Sequence, residues 1–574
     1  MPFLICAAIM IFFFALIFRN SVDIPNGDDL FCLMLFTQQF EDASGFTERF
    51  GLLMEQWIEH RIVYSRFTAL LSYWIHGQLN FVTIILIGNF TLVGLTILFW
   101  KILKKIGVSM YYLIPVALTL FSPVMYEGNV WAGASTVYMP VCFFGLLSMY
   151  FLAMPWRAAF LLAIITALLA TFSFGNGMFC FPAGFLMLLI CKKYKNSIIW
   201  LSFGCLAIAL YFVSYKTDRS AYALGFASHF RYPAYILYNF LAFGAGILDY
   251  TENVFSPLQL ENLPTMLLGI LLTAIVLSGI GFLLRRRAKD GKETVDNGLK
   301  MAWLGMVLFI GITSLAMAYS RTTAEQINTL TSRYKIYSMV TFILAYLWCL
   351  IYYKKKFMIG YLFGGFSLCL LLLNYFTYYH KLTNYKSTLL AGVYNYNNNH
   401  KWVIYQNTSY FERVGLVLSD SIRRNPNPVY TFPDVFEELN YRTLSNAKTL
   451  DDVWVSDSYN GNFGKFLSVK SDKYPCIKNV FDGIYLVVYS SKNIFLFPTD
   501  PARNGRMNMI CTGQYFKDGF VLNTNFNDVL LKEEEYRMAI FCPTEIEKIR
   551  LLNYKIQGPD GQLQREWLVY EDKH

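Results

Sequence analysis

The first eighteen residues, MPFLICAAIMIFFFALIF, carry no charged side chain, and apolar runs of similar length recur through the first two-thirds of the sequence. A helix of about 20 such residues crosses the roughly 30 Å hydrocarbon layer of a bilayer. Inside lipid every backbone N–H and C=O needs an internal partner, which leaves helices as the spanning form for runs like these. Further spans are expected near 79–100, 110–125, 136–153, 158–174, 178–191, 197–214, 264–284, 300–319, 336–353 and 357–378. The hydropathy rule thus gives about eleven. Segment 1–18 lacks a basic n-region and an A-x-A cleavage pattern, so it is expected to stay as the first span. Composition agrees: 15% of the 574 residues are charged, against about 25% in soluble domains.

Charge sets an expected direction. The formal net charge is +10, with about +9 of it before residue 380. The basic clusters KILKK (101–105), KKYK (192–195), RRRAKDGK (285–292) and KKK (354–356) all fall inside the cell if the N-terminus is inside. This holds only if the short aromatic segment 233–248 does not cross, and it is expected to be interfacial or re-entrant. Segments 19–78, 126–135, 174–178, 215–263 and 320–335, and everything after about 379, then lie outside. The asymmetry points to membrane topology rather than to nucleic-acid binding. Within 52–77, Leu53, Trp57, Val63, Phe67, Leu70, Leu71 and Trp74 recur at roughly helical spacing, which predicts one amphipathic surface helix.

The membrane part is expected to be residues 1–379, and 380–574 a soluble β-rich α+β domain outside the membrane. GIYLVVYS, NIFLFP, YRMAIF, RLLNYKI and EWLVY have strand character. SSKN and GPDGQ suit turns, and FPDVFEELNYRTL suits a helix. A polar run, NYNNN, occupies 395–399. The eleven cysteines form no CxxC pair and no Cys/His cluster, so zinc is not indicated. Cys476, Cys511 and Cys542 leave room for one disulfide in the soluble part.

Most of the chemistry-bearing charge falls on the expected outer side. Asp23, Asp28, Asp29, Glu55, Glu59 and His60 lie in the first long loop, and Glu127 in the next. Arg219, His229 and Arg231 lie in the fourth loop, with Arg321, Glu325, Arg333, Tyr334 and Lys335 in TSRYKIY and the residues before it. A carboxylate can take the proton of an acceptor hydroxyl, and Arg or Lys can hold a departing phosphate. Plainer readings stand beside these. Asp28 or Asp29 after Asn-Gly suits a helix N-cap, Glu55, Glu59 and His60 suit a solvated helix face, and the arginines can snorkel or pair with Glu325.

The aspartate pair in GDDLF after the first span, the long first loop and the many spans before an outward domain together resemble the GT-C superfamily of integral-membrane glycosyltransferases. The SRY stretch resembles a pattern of bacterial membrane proteins of this type. The resemblance covers about 1–380. It implies a polyprenyl-phosphate sugar donor, a glycan, lipid or protein acceptor of the cell envelope, and a bacterial cytoplasmic membrane. It also implies Asp28 or Asp29 as catalytic base and inversion at the sugar. Glu127, Arg321, Arg333, Tyr334, Lys335, His60 and Arg231 are the expected substrate-binding residues. It names no definite cofactor and leaves room for a divalent cation assisted by Glu127. A polymerase or ligase acting on undecaprenyl-pyrophosphate glycans is the rival enzyme, and it does not need the aspartate pair. A transporter expects charged residues deep in its spans, which are nearly absent here. A non-catalytic envelope scaffold would tolerate loss of both aspartates.

Overall fold

The computed structural model describes residues 1–216, 230–251, 259–289, 295–322, 324–399, 436, 439–450, 452–460, 464–474, 483–526, 534–543, 548–557 and 563–565. The chain packs as two units, one of Met1–Arg19 with Phe36–Tyr379 and one of Asn20–Leu35 with His380–His574. The loop expected to belong whole to the membrane part therefore contributes residues 20–35 to the second unit.

The chain is mainly helical. Among the described residues nine helices are long and apolar enough to cross a membrane: Pro2–Asn20, Phe81–Ile106, Met110–Val130, Ala132–Leu152, Tyr194–Phe212, Leu260–Arg285, Gly298–Arg321, Ser332–Tyr352 and Lys356–Asn399. The expected spans at 158–174 and 178–191 are shorter helices, Ala159–Ser173 and Gly175–Ile190. At 1.5 Å per residue a 15-residue helix reaches about 22 Å, less than the hydrocarbon thickness. Segment 233–248 is also a short apolar helix. Ser332–Tyr352 is the most buried span and Pro2–Asn20 the least, so the former is central to its unit and the latter peripheral.

Close approach sets the packing of the first unit. A Cβ on Gly88 would lie 2.6 Å from the backbone of Ser135, so Phe81–Ile106 and Ala132–Leu152 meet there nearly backbone to backbone. Small residues allow such contacts where the hydrophobic effect between helices is weak. Asn239, on Pro233–Ala245, donates through Nδ2 to Thr322 Oγ1 (3.0 Å) and Gln326 O (3.1 Å) and accepts from the Asn328 N–H (2.8 Å). Thr329 Oγ1 also donates to Asn239 O, at 2.9 Å. One buried side chain thus fixes the loop between Arg321 and Arg333.

The amphipathic helix expected through 52–77 is broken. Phe46–Met54 is helical, strands β1 (Gln56–Trp57) and β2 (His60–Arg61) form a tight hairpin, and Val63–His76 is helical again. Two arginines explain the break. Arg61 donates to Met54 O, and Arg66 donates to Leu52 O (2.8 Å) and Glu55 O (2.5 Å). These carbonyls would otherwise bond the next helical turn. Ile58 takes φ 50° at the hairpin tip. The expected loop at 126–135 is helical as well. Tyr126–Val130 and Ala132–Leu152 are separated only at Trp131.

In the second unit one sheet has strand order β12 (Leu563–Arg565), β11 (Ile549–Gln557), β10 (Glu535–Phe541), β6 (Tyr485–Tyr489) and β7 (Ile494–Pro498), with β3 (Lys448–Leu450) also on β11. A second sheet runs β4 (Trp454–Asn460), β5 (Gly464–Ser471), β9 (Phe516–Phe526) and β8 (Asp500–Arg503). The expected strands in GIYLVVYS, NIFLFP, YRMAIF and RLLNYKI become β6, β7, β10 and β11, and SSKN turns between the first two. EWLVY and GPDGQ lie outside the described residues, as does Cys476. Cys511 is exposed and Cys542 buried. Of FPDVFEELNYRTL, residues 441–444 are helical in Tyr441–Ser445, capped by Asn440, while 432–435 and 437–438 are outside the described residues. The NYNNN run has a clear role. Asn395 exchanges both amide bonds with the Leu496 backbone (2.8 and 2.7 Å), and Asn399 donates to Ile494 O (2.6 Å). Helix asparagines four apart therefore cover the outer edge of β7, which would otherwise be open for strand pairing.

Candidate functional site

The first unit contains a cavity of about 400 Å³ whose lining includes Glu59, His60, Phe174, Asn176, Tyr211, Tyr215, Arg321 and Tyr334. That volume suits a small ligand. The hairpin supplies Glu59 and His60 and is held in place from several directions. The Arg61 N–H donates to Tyr211 Oη (3.1 Å), Arg61 Nε donates to Tyr211 O (2.6 Å), and Tyr215 Oη donates to Glu59 O (3.1 Å). Gln56 exchanges bonds with the Lys216 backbone at 2.9 and 2.8 Å.

His60 packs on Phe174, ring centroids 3.7 Å apart, and its Nδ1 is enclosed without a hydrogen-bond partner. A Cβ on Gly175 would come 2.8 Å from that nitrogen, so only glycine lets the ring sit there. Burial, and secondarily the charge of Arg321, pushes the imidazole down to about 3. The ring is neutral at pH 7. Keeping its proton on Nε2 leaves only a lone pair against Gly175, and Nε2–H becomes the donor that can serve the cavity. Burial, then the nearby Glu59, raises the Tyr215 phenol.

Two arginines share one ring. The Arg321 guanidinium lies 5.8 Å and that of Arg333 5.6 Å from the Tyr334 ring centre, and Arg333 is also 5.7 Å from the Trp131 ring. Tyr138 meets Tyr334 edge-on at 5.3 Å. The Arg333 N–H donates to Glu127 Oε2 at 3.4 Å, and the Glu127 N–H donates to Ser332 Oγ at 3.2 Å. Arg333 Nε is buried without a hydrogen-bond partner, as is Asn176 Oδ1.

Lys335, next in sequence, is engaged differently. Its ammonium lies 2.7 Å from Asp249 Oδ2 and 2.5 Å from Tyr378 Oη, with the Lys335 and Asp249 side chains 3% and 2% exposed. Burial raises the Asp249 carboxyl, but Lys335 and the Thr251 hydrogen bonds outweigh it and hold it below its ordinary value. Arg231 is exposed, its guanidinium 5.7 Å from the Tyr232 ring. Arg219 and His229 lie outside the described residues.

The aspartate pair belongs to the second unit. Gly27 has φ 51°, which suits glycine. Asp29 is 1% exposed, and its Oδ2 accepts from the Asn26 N–H at 3.1 Å, closing the turn from behind. Asn26 Nδ2 donates to Tyr385 Oη at 2.6 Å. Asp28 is exposed, and its carbonyl accepts from the N–H groups of Phe31 (3.0 Å) and Cys32 (2.8 Å). The structure separates the two carboxylates that the sequence left equivalent. Asp29 fixes the turn, and Asp28 faces outward.

Of the expected residues, the cavity brings together His60, Arg321 and Tyr334, with Arg333 and Glu127 joined to it through Tyr334 and the Arg333 backbone. Phe174, Asn176, Tyr138 and Asp249 were not singled out by sequence. The FGNG break between two apolar runs at 174–177 is the one signal that pointed to the first two. No group of three or more metal-ligating side chains occurs among the described residues.

These features define a polytopic helical membrane protein with a β-rich C-terminal unit. No family model, curated protein or solved structure matches the chain.

Proposed function

We propose that this chain is a GT-C-type glycosyltransferase that moves a sugar from a polyprenyl-phosphate donor to a hydroxyl of a cell-envelope glycan, lipid or protein. The observation that carries the reading is the pair Arg321 and Arg333 flanking Tyr334 beside a cavity with a neutral histidine. Two fixed cations at one ring suit a phosphate that gains charge as the glycosidic bond breaks. In this reading the acceptor oxygen bonds to the anomeric carbon, the carbon–oxygen bond to phosphate breaks, and the acceptor proton passes to a carboxylate. Asp28 is the better base, because it is exposed while Asp29 is buried and accepts from the Asn26 N–H. Arg321 and Arg333 hold the leaving phosphate, and Tyr334 holds both guanidiniums apart. Glu127 positions Arg333 through its backbone. His60 donates to a substrate oxygen. Lys335 acts through Asp249 as a positioning residue rather than as a phosphate ligand.

The test is transfer of a lipid-linked sugar in membranes carrying Asp28→Asn, Asp29→Asn or Arg333→Ala. Loss of one electrostatic contact to developing charge typically costs about 10²–10³-fold in rate. Full activity in both aspartate variants overturns the base assignment, and full activity of R333A overturns the phosphate site. The arginine pair equally suits a pyrophosphate, which favours a polymerase or ligase of undecaprenyl-pyrophosphate glycans as a second reading. That enzyme keeps its rate in D28N and loses it in R333A.

A further inference from the structure

A second cavity in the first unit, of about 490 Å³, has no part in the proposed reaction. Its walls are Tyr111, Tyr112, Ile114, Pro115, Phe357 and Tyr361, and its floor is Gly360, Gly364 and Gly365. Apart from Ser109 and the phenol oxygens the lining is apolar. Tyr111, Phe357 and Tyr361 are exposed, so it opens as a groove on the outside of the helices. The glycines create it, since the helix face at 360–365 carries no side chain where a span would usually present one.

Positive charge borders one end of this groove. Phe357 directly follows Lys354, Lys355 and Lys356. Lys356 reaches across to donate to Ile106 O at 2.9 Å, tying the start of helix Lys356–Asn399 to the end of Phe81–Ile106. Lys354 and Lys355 are exposed. An apolar groove in a membrane-embedded surface, ending at free-standing cations, combines the two halves of an anionic lipid's chemistry. Basic residues at a membrane surface attract acidic headgroups, at about fivefold in affinity per Lys. Neutral lipid would fill the groove but gain nothing from the lysines.

We propose that this groove is a binding site for an anionic phospholipid, its acyl chain along Gly360–Gly365 and its phosphate at Lys354 and Lys355. The site depends on membrane embedding alone and not on the transferase reading.

The full-length protein, purified and titrated with phosphatidylglycerol or phosphatidylcholine of equal chain length, is read by native mass spectrometry. The wild type retains phosphatidylglycerol in preference. The exposed pair Lys354→Gln and Lys355→Gln lowers that preference by roughly 25-fold and leaves phosphatidylcholine retention unchanged. Gly365→Leu fills the groove. No heavy atom lies within 4 Å of a Cβ there, so the fold accepts it, and retention of both lipids falls. Equal retention of the two lipids by the wild type, an unchanged preference in the lysine variant, or full retention in G365L each overturns the proposal.

Discussion

Removing Lys335 should destabilise the protein in a pH-dependent way, because Asp249 would keep its buried position and lose its counter-charge. The two side chains are 2.7 Å apart and almost fully buried, so no discount for solvent screening applies. At an effective dielectric constant of 20 their gross attraction is about 6 kcal/mol. Desolvation of two ions offsets most of that, and the intact pair adds little net stability. Taking away one partner is different: it leaves a buried charge, at a cost of about 3–5 kcal/mol. A Lys335→Met variant should therefore lose roughly a thousandfold in its folding equilibrium at neutral pH.

The sign of the pH effect follows from Asp249. With Lys335 present, its carboxyl sits below the ordinary value, so the pair's contribution is present above the unfolded value and is lost as pH falls through the folded one. Without Lys335, burial dominates and raises the carboxyl above its unfolded value of about 4. That stability is present below the unfolded value and is lost as pH rises through the folded one. Both trends shrink the gap between wild type and K335M on acidification. Asp249→Asn keeps the acceptor for the Thr251 N–H (3.0 Å) and Oγ1 (2.8 Å), so it isolates the charge. The double variant K335M/D249N should recover at least about 2 kcal/mol relative to the sum of the singles. Thermal unfolding of purified protein at pH 7.5 and pH 5 measures all of this. A K335M deficit that is absent, or that does not change with pH, refutes the buried ion pair.

Other outcomes are equally specific. Asp29→Ala should lower stability by about 1 kcal/mol through loss of the Asn26 bond; a thermal scan of the variant tests this. Gly175→Ala should cost about 1–3 kcal/mol, because its Cβ meets His60 Nδ1 at 2.8 Å and Tyr211 Oη at 3.1 Å, and it should also lower transfer activity. His60 sits at about 3 when folded and about 6.5 when unfolded. The unfolded state binds more protons between these values, so stability should fall as pH drops through that window, and His60→Gln should flatten the slope in a melting-temperature series.

The apolar runs were legible because lipid imposes one solution on them: each expected span coincides with a helix, although two of these helices, Ala159–Ser173 and Gly175–Ile190, are short. The hairpin at 55–62 was not legible, because its cause is non-local. Arg61 and Arg66 end a helix by capturing carbonyls, and Tyr211, 150 residues from Arg61, fixes the turn. A periodicity reading sees Leu53 and Trp57 and continues the helix. The same limit applies to the charges. TSRYKIY offered Arg333 and Lys335 as equivalent cations, yet one lies on aromatic rings and the other on Asp249, a residue that no local pattern joins to it. GDDLF presented two equivalent carboxylates, and one backbone bond to Asn26 separated them. Spacing in sequence singled out these charged side chains; which partner each one takes is supplied from elsewhere in the fold. A neutral histidine beside an arginine follows the same logic, since it is the distant FGNG break that encloses His60 and keeps it uncharged.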